Sequence, residues 1–113
     1  NMTNTPDPTS YLTDEIQNQA YRNAIGVVTN AVSYFDHGDL ESMIAMIDSV
    51  WSDMIQQRES EAHQSFRGLM MAFAGIIDAN LQGLGAYTPE QRREKLMGIL
   101  ASVENAAIDI ADD

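Results

Sequence analysis

The chain contains no cysteine, which removes disulfides, thiolate metal sites, iron–sulfur clusters and cysteine nucleophiles together. It leaves the redox compartment open, since a chain without thiols suits either environment. Basic residues are scarce: six Lys and Arg stand against 17 Asp and Glu, a formal net charge of −11 at pH 7. Affinity for a phosphate backbone comes from Lys and Arg displacing counterions, so no direct nucleic-acid partner and no anionic membrane partner is expected. Long apolar runs are missing too. The longest, Gly68 to Ile77, stops at Asp78, short of the ~18 residues that a membrane span needs. Residues 1–10 have neither a basic nor an apolar segment, so no secretory signal is read there. Met2 reads as the initiator, and a cytoplasmic location is the expectation.

Proline occurs only three times, and Pro6 and Pro8 lie in a polar opening stretch without periodicity. Residues 1–12 are expected to form a flexible arm ahead of a single helical domain over 13–113. A chain of 113 residues has room for one domain, and 44% hydrophobic residues are enough to drive folding.

What is present is helical periodicity. Ile16, Ala20, Ala24, Val27, Val28, Ala31, Val32 and Phe35 recur at steps of three and four, which predicts an amphipathic helix over about 14–36. Thr13 suits its N-cap, Asp14 and Glu15 complement its dipole, and Gly38 suits its left-handed C-terminus. The connection Asp36-His37-Gly38-Asp39 is short enough to imply an antiparallel neighbour. That second helix, capped by Asp39, carries a stripe of Leu40, Met43, Ile44, Ile47, Val50, Trp51, Met54 and Ile55 that reads as core. Met46 and Met71 fall off the narrow stripes and read as exposed.

Residues 56–64 are polar but hold no Gly or Pro. A break near 58–60 is expected, with Ser60 able to cap a new helix, because a fused helix from 40 to 82 would be roughly 64 Å long. Fusion of the second and third helices is the alternative. The third helix, about 61–82, pairs small residues, Ser65, Gly68, Ala72, Gly75 and Ala79, with a line of large ones, Phe66, Leu69, Phe73 and Ile76. Glycine inside a helix costs about 0.5–1 kcal/mol relative to alanine, so this stripe is expected to meet another helix closely, in the bundle or in an oligomer. Thr88-Pro89-Glu90-Gln91 is a capping box with proline at the first helical position. It opens a fourth helix to about 110, with Leu96, Ile99, Leu100, Val103, Ala107 and Ile110 buried and Arg92, Arg93 and Glu94 outside. The expected fold is all-α, an antiparallel bundle of about four self-associating helices.

Motifs for chemistry are missing. A carboxylate-bridged metal pair in a bundle needs two Glu-x-x-His pairs, and neither is present. His63 lies four residues after Glu59 in a polar stretch, and His37 sits in a turn among Asp36, Asp39 and Glu41, whose acids are explained by helix capping. No nucleophile elbow or phosphate-cradling loop occurs, and Gly83-Leu84-Gly85 lacks both the third glycine and a preceding strand. No catalytic residue, cofactor or metal is expected.

Charge patterning carries the remaining functional content. Asp36, Asp39, Glu41, Asp48 and Asp53 fall between Arg22 and Arg58 with no basic residue among them. The expectation is a non-enzymatic, acidic protein-interaction module of inhibitor or adaptor type, meeting a basic partner through those five acids and acting as a homo-oligomer. Gly68, Met71, Ala72, Gly75 and Ala79 are its expected oligomer interface. Two alternatives stand beside it: a phage-type acidic decoy or DNA mimic, and a small metal-binding or enzymatic bundle.

Overall fold

A computed structural model describes residues 13–112, with side chains through residue 106. The expected flexible arm over 1–12 lies outside the described residues, as do the side chains of Ala107 and Ile110. The described residues form four helices and no strand: α1, Asp14–His37; α2, Leu40–Ile55; α3, Glu59–Gly83; and α4, Pro89–Asp112. The fold is all-α, and α1 packs on both α2 and α3.

The helix ends follow from local chemistry. Thr13 accepts a hydrogen bond from the Ile16 backbone N–H at 3.2 Å, satisfying one of the donors left free at the start of α1. Gly38, with φ of 70°, ends that helix, and its N–H donates to the Tyr34 carbonyl at 2.7 Å. That left-handed turn costs glycine nothing and reverses the chain within two residues. The expected break after α2 is present. It falls at residues 56–58, and α3 starts at Glu59, so Ser60 lies inside the helix instead of capping it. The Ser65 hydroxyl donates to Gln57 Oε1 at 2.9 Å and ties the break back to α3.

Contacts divide the chain into two units, one ending at Phe73 and one starting at Ala74. In the first, α1 and α2 form an antiparallel hairpin. A Cβ on Gly26 would meet the Met46 side chain, while Ile16 and Ala20 lie by Val50, Met54 and Gln57, so residue numbers fall on one helix as they rise on the other. The buried residues of this unit are small or medium-sized: Ala20 and Ala24 of α1, Val50 of α2, and Gly68 and Ala72 of α3. Ser65 and Leu69 of α3 join α1 and α2 around a cavity of about 40 Å³, room for a water and not for a substrate.

The second unit is built around the α3–α4 connection. The Ala86 N–H donates to the Leu81 carbonyl at 3.1 Å and the Gly85 N–H to the Gln82 carbonyl at 3.0 Å. With Gly85 at φ of 93°, this is a Schellman ending. Leu81 and Ala86, the two positions that an apolar contact accompanies in this motif, are both buried. The capping box forms as the sequence implies: the Gln91 N–H donates to Thr88 Oγ1 at 3.1 Å, and Gln91 Oε1 accepts from the Thr88 N–H at 3.0 Å and the Tyr87 N–H at 2.9 Å. Arg92, expected outside, is folded in. Its Nε meets Asp78 Oδ1 at 2.8 Å, its Nη1 donates to the Ala86 and Tyr87 carbonyls, and only 19% of its side chain is exposed. The unpaired carbonyls of the turn draw it inward, which a polar and apolar pattern alone does not register.

The core differs most from the sequence expectation. Trp51, placed on the core stripe, is 61% exposed, and Ile44, Ile47 and Ile55 are exposed beside it. Met46, placed outside, is only half-exposed because it packs on Gly26. The physical reason is that α2 is apolar over more than half its circumference, and the small residues of α1 select the Met43, Met46, Val50 and Met54 side as the contact. On α4, Leu96 is half-buried while Ile99, Leu100 and Val103 are exposed.

Two predictions follow from this packing. Gly68→Leu should cost about 1–3 kcal/mol in thermal or urea unfolding, because a large side chain enters a closed contact, and the half-buried Gly75→Leu should cost clearly less. Equal effects would show that the contact at Gly68 is not close. Thr88→Ala should cost about 1 kcal/mol, and combining it with Gln91→Ala should fall short of additivity because the two side chains serve one cap.

Candidate interaction surface

The five acids expected to bind a partner do not share one face. Asp36 lies at the end of α1, where His37 Nε2 stands 3.0 Å from its Oδ2, and both side chains are exposed. Asp39 is engaged as the cap of α2, its Oδ1 accepting from the Ser42 backbone N–H at 3.1 Å. Glu41 and Asp48 are exposed and seven residues apart, which at about 100° per residue sets them on one edge of α2, turned away from α1. Asp53 is also exposed but lines the cavity that α1, α2 and α3 share, on the other side of the helix. The one Lys or Arg ion pair among the described residues joins Arg92 to Asp78, so no such partner holds Glu41 or Asp48.

The residues expected at an oligomer interface divide in the same way. Gly68 and Ala72 are buried, Gly75 is half-buried, and Met71 and Ala79 are exposed. The first part of the small-residue stripe is used within the chain, and Met71 stands outside it.

A third feature was hidden in the sequence by its resemblance to core. On α1, Tyr21, Ile25, Val32 and Phe35 are exposed, Val32 at 65% and Phe35 at 82%. On α2, Leu40, Ile44, Ile47, Trp51 and Ile55 are exposed. On α1 these residues lie about 100–180° around the helix from Gly26, which meets Met46 of α2, so this stripe turns away from that contact. Leu69 and Ser65 of α3 line a cavity with Asn23 and Asp53. Each helix of the hairpin therefore carries an exposed apolar stripe, and no position on either stripe is charged.

Chemistry needs groups that converge. Among the described residues no three His, Asp or Glu side chains come close enough to hold a metal ion. His37 and His63 are both exposed, and His63 shares its shallow surface depression with Glu59 and Ser60. Hydrogen bonds from the Ser42 side chain and backbone hold the Asp39 carboxyl below the ordinary 3.8, and His37 adds a smaller pull. A carboxyl lowered in the folded state contributes stability above its unfolded pKa and loses it as the pH falls through the folded value. Acidification through and below the ordinary carboxylate range should therefore loosen the first turn of α2, seen as faster amide exchange at Ser42. Asp39→Asn should keep the cap and remove that acid sensitivity, while Asp39→Ala should loosen the turn at every pH.

Comparison of the chain with protein-family models, with curated proteins and with solved structures finds no match.

Proposed function

We propose that this chain is a non-enzymatic helical interaction module that acts as a homo-oligomer and binds a protein partner of basic surface, in the manner of an inhibitor or adaptor. The observation that carries the reading is the edge of α2 formed by Glu41 and Asp48, exposed and unpaired with Lys or Arg among the described residues. Exposed carboxylates of one sign on a rigid helix steer a partner of opposite sign and contribute to association rate more than to fold stability. The DNA-mimic alternative gains less support, because Asp39 is committed to a cap and Asp53 faces elsewhere, which leaves too few acids in line to imitate a phosphate backbone.

Partner capture from a lysate of the source organism tests this reading when run at low and high salt. Binding should weaken with salt, since exposed charges are screened over about 8–10 Å at physiological ionic strength. Glu41→Gln with Asp48→Asn should slow association several-fold and leave the helical content intact, whereas Asp53→Asn should change it little. A partner held equally by all variants at both salt concentrations would refute the electrostatic edge.

A further inference from the structure

We infer that Met46 is an oxidation site through which hydrogen peroxide loosens the α1–α2 hairpin. Neither the acidic edge nor self-association is needed for it.

The chain has seven methionines and no cysteine, so its sulfur chemistry is that of the thioether alone. Among the described residues the methionines fall into two groups. Met70, Met71 and Met97, on α3 and α4, are exposed, whereas Met43, Met46 and Met54 all lie on α2 and are half-exposed. Met46 is set apart by what lies beneath it. A Cβ on Gly26 of α1 would stand 2.5 Å from Met46 Cε and 3.1 Å from its Sδ, so the thioether occupies the space that a side chain at position 26 would need. The fully buried residues of α1 and α2 are Ala20, Ala24 and Val50, none of them large. Half-buried side chains such as Met46 therefore carry packing that no large buried residue supplies, and a flexible, polarizable thioether suits such a gap.

A lone pair on Met46 Sδ attacks one oxygen of hydrogen peroxide, the O–O bond breaks as the S–O bond forms, a proton passes to the departing oxygen, and water leaves. The sulfur gives up two electrons and the peroxide is reduced. Partial exposure lets the reagent reach Met46 without prior unfolding. The product is bulkier, polar and chiral. If its oxygen stays toward Gly26, it enters a contact with no spare room, beside a Gly26 carbonyl that is itself an acceptor and already receives the Asn30 Nδ2 hydrogen bond at 2.8 Å. If the oxygen turns to water, the side chain leaves Gly26 and a void opens between the helices. Both outcomes weaken the same contact. Oxidation of Met70, Met71 or Met97 adds an oxygen at an exposed position instead, and Met54 borders the cavity of about 40 Å³, which has room for one.

The test exposes the full chain to a graded series of hydrogen peroxide and reads two quantities on each sample: the oxygen taken up at every methionine, by peptide mass spectrometry, and the thermal midpoint, by circular dichroism. Met70, Met71 and Met97 should oxidise first with the midpoint unchanged. The midpoint should then fall by about 5 °C or more in step with oxidation of Met46, together with faster amide exchange in α1 and α2. Methionine sulfoxide reductases, which restore the thioether, should return the midpoint to its starting value. Met46→Leu removes the sulfur and keeps an apolar side chain of similar volume, so its midpoint should not respond to peroxide over the same range, whereas Met71→Leu should respond as the wild type does. Full oxidation of Met46 with an unchanged midpoint would overturn the inference. So would Met46 left as the thioether at doses several-fold beyond full conversion of Met70, Met71 and Met97, and both results are read on the unaltered chain. A Met46→Leu chain whose midpoint falls as far as that of the wild type would overturn it too, moving the sensitive sulfur to Met43 or Met54.

Discussion

The close approach of α1 and α2 through small side chains is the constraint on which the rest of the first unit depends. Gly26 meets Met46, and Ala20, Ala24 and Val50 are buried, so the packing needs no large residue. The large apolar residues of both helices are left outside it. Gly68 and Ala72 of α3 are buried as well.

The second unit is held by a different kind of interaction. Leu81 and Ala86 bury little area, and the connection is specified mainly by polar groups: the Schellman ending at Gly85, the Thr88 and Gln91 cap, and Arg92 reaching both Asp78 and the turn carbonyls. These bonds satisfy the free carbonyls and N–H groups that every helix end carries. They make the turn well defined with almost no core beneath it.

The functional reading follows from an asymmetry between the two exposed features of α2. Its acidic edge is charged, narrow and free of Lys and Arg, suited to long-range attraction. Its apolar arc is broad and uncharged, suited to contact that excludes water. The two features lie on neighbouring parts of the same helix.

How much of this was legible in the sequence depends on the range of the interaction. Helix ends were, because a cap is decided within four or five residues: Thr13, Gly38, Asp39 and the Thr88 box act where their side chains alone would place them. The all-α class and the break before α3 were legible for the same local reason. The expected five-acid surface was not, since a run of acids along a chain says nothing about rotation about the helix axis, and Asp53 turns to the cavity while Glu41 and Asp48 turn away. Arg92 was misplaced because its partners are carbonyls of a turn whose shape the pattern does not contain. The sequence by itself determined the caps that start α1, α2 and α4 and that both α1 and α2 are apolar over a wide arc. Only the tertiary structure decided which part of that arc faces inward, because the choice is made by the fit of small side chains on one helix against those of another, and that fit has no signature in either helix alone. Trp51 belongs to the periodic stripe in the sequence and to the surface in the fold.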